Sequence, residues 1–322
     1  MAKLSKELLL DMYSRMSLAR EFDMKLNQLV RRDFVQGMTH FSVGEEAASI
    51  APIMALKKED IIFSNHRGHA NCIGKGMDIK GMMAELAGKA TGVSKGKGGS
   101  MHLADIANGN YGTNGVVGGG MAVSVGAALA QKYHKTGNVV VCFFGDGATN
   151  EGNFHESLNM ASVWKLPLIY FITNNKYGIS MDINRAVNIP YLYKRADAYG
   201  IPGHYVEDGN DAIAVYEEFV KALEYVRAGK GPVLMEVQSY RWFGHSTADP
   251  GKYRTKEEVD EWKTKDPLLK LRAQLVKGKY ATDKQLDDID AAMKVRIEEA
   301  VEFAKNSPDP DPSVVYEDVY VD

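Results

Sequence analysis

Val139-Val140-Val141-Cys142-Phe143-Phe144 runs into Gly145-Asp146-Gly147, and Leu166-Pro167-Leu168-Ile169-Tyr170-Phe171-Ile172-Thr173 runs into Asn174-Asn175. Both runs are apolar throughout instead of at every second residue, as in strands buried on both faces. A helical stretch from about Glu151 to Trp164 separates them, so the segment reads as one βαβ unit. A right-handed crossover brings the second strand back parallel to the first, and both then end at the edge of the sheet where ligands bind. Neighbouring strands lie about 4.8 Å apart, so the Asp146 carboxylate and the Asn175 amide oxygen can reach one cation about 2.1 Å from each. Oxygen ligands of that kind favour magnesium. The two glycines allow close backbone approach, and the helix after them offers unpaired N–H groups to a phosphate. Magnesium held by one or two side chains completes its octahedron with phosphate oxygens, so these pieces describe a metal-bridged diphosphate site.

Around this unit, Asp60-Ile61-Ile62-Phe63 and Val233 to Val237 are further strand candidates, again separated by helical patterns. The alternation predicts an α/β fold, a mostly parallel sheet with helices on both faces. Leu8, Met12, Met16, Ala19, Phe22, Leu26 and Leu29 recur at helical spacing and predict a long N-terminal helix over about 5–32. A helical pattern returns from Thr282 to Lys305 and breaks at Pro308-Asp309-Pro310-Asp311-Pro312. We therefore expect an α/β domain over 1–270, and over 271–322 a C-terminal helix with an extended acidic tail suited to docking on a partner. Thr91 to Gly120, with its Lys95-Gly96-Lys97-Gly98-Gly99-Ser100 run, and Asn174 to Pro190 read as long loops, either functional or merely flexible insertions. The uncharged stretch Gly115 to Lys132 reads as a buried loop and helix, too short and glycine-rich to cross a bilayer.

With 45% hydrophobic and 25% charged residues in 322, the chain can bury a substantial core, and its net charge of −3 predicts neither a nucleic-acid nor a membrane partner. A small-molecule substrate fits. Cys72 and Cys142 form no CxxC pair, which points to a reducing compartment. The acidic, amphipathic start beginning Met1-Ala2-Lys3 resembles neither a signal nor a transit peptide, so the expected location is cytoplasmic.

Taken singly, Asp-Gly also occurs in plain turns and Asn-Asn in plain loops. Their placement after two strands of one βαβ unit is what raises them above that. No GxxxxGK[ST] occurs and no glycine cluster completes GxGxxG, so nucleotide binding is poorly supported. His66-Arg67-Gly68-His69 lacks a fourth-ligand cluster, and its arginine repels a cation. Of the eight histidines, His134 and His204 read as ordinary surface or hydrogen-bonded residues, and His155 as packing or partner-facing.

Gly145-Asp146-Gly147, twenty-six residues (148 to 173), then Asn174-Asn175 resembles the thiamine-diphosphate motif. From about Leu8 to Arg254 the chain is similar to the alpha subunits of 2-oxo acid dehydrogenases of the branched group and of acetoin dehydrogenases. Gly44-Glu45-Glu46-Ala47, Lys95 to His102, Asn114-Gly115-Val116-Val117-Gly118, Asn159-Met160-Ala161, Trp164-Lys165-Leu166-Pro167 and Phe243-Gly244-His245-Ser246 with Asp249-Pro250-Gly251 carry the likeness. The resemblance implies a thiamine diphosphate-binding fold and magnesium held by Asp146, Asn175 and the backbone carbonyl of Tyr177. It implies diphosphate contacts from Arg67 and His245 with His66 beside them, from Gly147 and Ala148 at the turn, and an aminopyrimidine held by the backbone of Gly115 and Val117. His40 matches a substrate-facing histidine, and His40 with His245 would be the catalytic pair.

The same resemblance implies a separate beta subunit that supplies the glutamate activating the cofactor. It further implies a heterotetramer of two alpha and two beta chains and transfer of an acyl group to the lipoyl domain of a dihydrolipoyl acyltransferase. His66-Arg67-Gly68-His69 resembles acetoin dehydrogenases more than the Tyr-Arg form of pyruvate enzymes, which favours acetoin, then pyruvate, then a branched-chain 2-oxo acid. Ser246 matches a phosphorylated position in mitochondrial relatives, but the loop is shorter and lacks their second serine. The loop is expected to be mobile until cofactor binds. The rival readings are a magnesium-dependent phosphoryl-transfer enzyme using Asp146 and a cofactor-free scaffold; neither needs Arg67, Gly115 or Asn175.

Overall fold

The computed structural model describes residues 4–320; the expectations that touch Met1–Lys3 and the last two residues of the tail lie outside that range. Five strands, β1 (Ile61–Phe63), β2 (Val140–Gly145), β3 (Leu168–Asn174), β4 (Gly203–Val206) and β5 (Val233–Gln238), form one sheet in the order β1-β2-β3-β5-β4. Every pairing in it is parallel. Successive side chains point to opposite faces, and each face has its own core. Val141, Phe143, Ile169, Phe171 and Met235 join one cluster, while Val140, Cys142, Phe144, Tyr170 and Ile172 join the other. That double burial is why the central strands carry no polar alternation.

Helix α1 (Lys6–Val30) starts at Ser5, whose Oγ accepts from the Leu8 amide, and buries Leu9, Met12, Met16, Ala19, Phe22, Leu26 and Leu29 in the first cluster. Leu9 takes the innermost first-turn position, and Leu8 lies only partly buried beside it. Helices α2 (Gly119–His134) and α3 (Gly152–Val163) cover the second face, and α4 (Ala212–Arg227) lies on the first. Helix α5 (Asp283–Asn306) begins with a Thr282/Gln285 capping box and packs Ile297, Ala300, Val301 and Ala304 into the core shared with α1.

Three expectations change. β4 was not foreseen, because an edge strand reading Gly-His-Tyr-Val is mostly half-exposed and carries no apolar run. The Asn174–Pro190 segment is not a bare loop: it holds a small antiparallel hairpin, Tyr177–Gly178 with Met181–Asp182, and a short helix, Ile183–Ala186. Gly115 to Lys132 is not buried throughout. Helix α2 buries only Met121, Ser124, Val125 and Ala128, and leaves Val123 57% and Tyr133 79% exposed.

Charges of the acidic tail meet this chain's own lysines. Asp318 lies 2.9 Å from Lys95 and 3.0 Å from Lys97, and Asp309 lies 2.6 Å from Lys89. Among the described residues no helix is long and apolar enough to cross a membrane. Both cysteines are free and buried.

Candidate functional site

The C-terminal ends of β2 and β3 open into a cavity of about 320 Å³. Gly145 pairs with Thr173 in the parallel register, which sets the next residues of both strands side by side. The Asn175 amide accordingly donates to Asp146 Oδ1 at 3.3 Å, and Asn175 Oδ1 accepts from the Tyr177 amide at 3.4 Å. Gly147 is required by close approach: a Cβ there would stand 3.1 Å from the Gly178 Cα in the hairpin. Asp146 is buried, and among the described residues no lysine or arginine is ion-paired to it. Burial raises its carboxyl from 3.8 to about 6, more than its own backbone hydrogen bonds and the nearby Arg241 lower it. A buried carboxylate beside an amide oxygen is a donor set that suits a hard divalent ion, and the Arg241 guanidinium reaches the same Asn175 oxygen at 3.3 Å.

Across the cavity, Arg67 is buried, with Nη1 donating to the Phe41 carbonyl at 2.5 Å, Nη2 to the His245 carbonyl at 3.0 Å, and Nε 3.7 Å from Glu45 Oε2. Burial lowers its guanidinium to about 10 despite the Glu45 charge. It stays protonated at neutral pH, and a phosphate oxygen would offer it the anionic partner that Glu45 supplies only at a distance.

Three segments far apart in sequence bring their imidazoles together here. The ring centroids of His40 and His66 lie 4.5 Å apart, those of His40 and His245 4.9 Å, and those of His66 and His245 5.3 Å. Burial first, and then Arg67, lowers His66 to about 2, His40 to about 3 and His245 to about 4, so all three are neutral at pH 7. His40 Nδ1 is buried without a hydrogen-bond partner.

The residues that shape this wall are themselves held from α1. Asp23 accepts from the Ser42 amide at 2.6 Å and from its hydroxyl at 2.9 Å, and its other oxygen bonds His69 Nδ1 at 2.7 Å. With that nitrogen donating, His69 Nε2 accepts from the Ser100 hydroxyl at 2.8 Å. The Lys95–Ser100 run is therefore no open anion cradle. Glu85, fully buried, accepts from the amides of Ser94, Gly96, Gly98 and Gly99 at 2.7–3.0 Å and fills the nest with its own carboxylate.

Of the residues singled out in the sequence, His66, Arg67, Val117, Asp146, Gly147, Ala148, Asn175, Tyr177 and His245 all line the cavity. His40 stands behind the rim against two of them, and Gly115 is not part of the wall, although its neighbours Val117 and Gly118 are. His204 pairs with Glu218 at 2.7 Å, and the exposed His155 meets the Tyr199 hydroxyl at 2.5 Å.

Two lining residues escaped the sequence reading. Glu45, inside the quoted Gly44-Glu45-Glu46-Ala47 run, is buried with Oε1 unpartnered, and burial raises its carboxyl. Gly44 sets this turn at φ +95°, where a Cβ would stand 2.4 Å from Trp242 Cδ1. Arg241, just beyond β5, is fully buried and donates to Tyr177 O at 2.7 Å, Asn175 Oδ1 at 3.3 Å and the Tyr253 hydroxyl at 2.6 Å. Tyr253 in turn donates to Asp249 at 2.6 Å, and Asp249 accepts from the His245 and Gly251 amides. The His245 loop is thus folded onto Arg241. The signal for Arg241 was its position at the end of a predicted strand, on the ligand-binding edge.

Residues 14–313 match the family model described as dehydrogenase E1 component. The chain is 44% identical to the alpha subunit of acetoin:2,6-dichlorophenolindophenol oxidoreductase from Bacillus subtilis over 319 residues, 99% of this chain and 95% of that protein. It is 42% identical to the pyruvate dehydrogenase E1 component alpha subunit of Rickettsia felis, covering 99% and 97% of the two chains. Against the corresponding Rhizobium meliloti subunit it is 40% identical, covering 99% and 91%.

Proposed function

This chain belongs to the dehydrogenase E1 component family, and on that premise we propose that it is the alpha subunit of a thiamine-diphosphate- and magnesium-dependent dehydrogenase that cleaves acetoin and passes the acetyl group to a lipoyl-bearing acyltransferase. The observation that carries the cofactor is the pairing of strand ends: the Asp146 carboxylate and Asn175 face one cavity with Arg67, His66 and His245 across it. In this reading Asp146, Asn175 Oδ1 and the Tyr177 carbonyl hold magnesium, and Arg67 with His66, His245, Gly147 and Ala148 holds the diphosphate. Gly115 and Val117 hold the pyrimidine ring through their backbone. Bound thiamine diphosphate supplies the electron sink that carbon–carbon cleavage needs.

The chain's own contribution is to bind, orient and exclude water. A guanidinium engages phosphate oxygens in a fixed fork, and Asp23 and Glu45 hold the segments that aim it. Neutral imidazoles at His40 and His245 can each donate or accept one proton at a substrate oxygen. The glutamate that activates the cofactor is assigned to a separate beta subunit, in a heterotetramer of two alpha and two beta chains. The apolar face left by α2 and α3 supports such a partner: Val123, Leu129, Tyr133, Met160, Val163 and Trp164 are all exposed there.

Acetoin is favoured over pyruvate by the His66-Arg67-Gly68-His69 sequence and by the Bacillus subtilis relative's name. Pyruvate is the second reading, on the strength of the Rickettsia and Rhizobium relatives. The test is calorimetric titration of the alpha–beta assembly with thiamine diphosphate, with and without Mg2+, followed by assays on acetoin, pyruvate and a branched 2-oxo acid with an artificial electron acceptor. Magnesium-dependent binding and preferred turnover of acetoin are expected. Robust turnover by the alpha chain alone, or no cofactor binding to the assembly, would overturn the reading.

A further inference from the structure

The geometry points to a second, transition-metal site made by His40, His66 and His245 at the rim of the cavity, which we propose binds Zn2+ or a similar borderline ion through three imidazole nitrogens. Ring nitrogens of the three residues all lie within 4.8 Å of one another. Zinc–imidazole bonds of about 2.0–2.1 Å in tetrahedral geometry require closer nitrogens than that, so metal binding requires His66 and His245, neither fully buried, to rotate inward. An independent observation points the same way: His40 is only 5% exposed, yet its Nδ1 has no hydrogen-bond partner. A buried imidazole nitrogen left unpaired costs free energy that a metal bond would recover.

The guanidinium groups of Arg67 and Arg241 share the cavity wall with the carboxylates of Glu45 and Asp146, and a dication at the rings has to be held against the repulsion of the two guanidiniums. Three nitrogen donors leave the fourth tetrahedral position open towards the cavity, where water or a substrate oxygen fits. Imidazole favours zinc, cobalt, nickel and copper over magnesium, so this site and the oxygen ligands at Asp146 and Asn175 select different ions. It stands on the three rings alone and does not need the cofactor reading.

The experiment is titration of the full chain, alone and with its proposed beta subunit, with Zn2+ by calorimetry and with Co2+ by visible absorption, without thiamine diphosphate. One equivalent should bind, Co2+ should give the visible bands of a low-coordinate site, and excess Mg2+ should not displace either. His66→Ala should weaken binding by about 100-fold or more, since loss of a supporting group alone costs about 10–100-fold. His40→Gln should do the same, and melting curves of both variants check folding; His66→Ala, on the rim, keeps the test available if the buried variant fails to fold. Absence of stoichiometric binding, or equal affinity in wild type and His66→Ala, would overturn the site and would leave the thiamine diphosphate reading untouched.

Discussion

Asp146 carries opposite demands in the empty and the loaded protein. Its carboxyl is raised to about 6 by burial, so ionising it costs the folded chain stability. Because the folded value lies above the unfolded one, this penalty is absent below about pH 4, grows as pH rises through 6, and is complete above it. The shift from 3.8 to about 6 corresponds to about 3 kcal/mol. Asp146→Asn should therefore raise the melting temperature of the cofactor-free chain at pH 7.5 and have little effect at pH 4, while abolishing magnesium-dependent binding of thiamine diphosphate. A variant destabilised at both pH values would contradict the assignment of burial as the cause. Near pH 5.5, binding should take up the carboxylate form and release a fraction of a proton, read by calorimetry in buffers of different ionisation enthalpy. Asp146 and Asn175 were legible because strand ends confine them. Glu45 and Arg241 were not, since a buried charge is recognised by what surrounds it, and those neighbours come from other segments.

The loop from Ser94 to Gly99 owes its form to a single carboxylate. Glu85 accepts four amide hydrogen bonds from it, and bonds to a charged acceptor contribute about 1.5–3 kcal/mol each. Glu85→Gln replaces one acceptor oxygen with a donor facing amides. Trypsin cleavage after Lys95 and Lys97 should then accelerate by at least about tenfold, with a lower melting temperature; unchanged cleavage would show that the Lys95 and Lys97 contacts to Asp318 hold the loop instead. The sequence suggested a functional loop or a flexible insertion, because a glycine-rich run does not reveal which distant residue of the chain its amides will meet. The edge strand β4 and the hairpin at Tyr177 were equally hidden: short elements stabilised by neighbours leave no periodicity of their own.

The molecule leaves several apolar side chains of α2 and α3 uncovered, with Val163 69% and Tyr133 79% exposed. A patch of this kind favours association. Val163→Lys together with Tyr133→Glu should leave the melting temperature of the isolated alpha chain nearly unchanged and block its assembly with the beta subunit, measured by size-exclusion chromatography with light scattering. Assembly at unaltered affinity would move the interface elsewhere. Secondary-structure period and the βαβ spacing follow from local residue order, so an α/β sheet with Asp146 and Asn175 at one edge could be read from the sequence. The meeting of His40, His66 and His245, the filling of the Lys95–Ser100 nest by Glu85, and the exposure of one helix face depend on which distant surfaces the packed core brings together. That choice is made by burial summed over the whole chain, and no local stretch contains it.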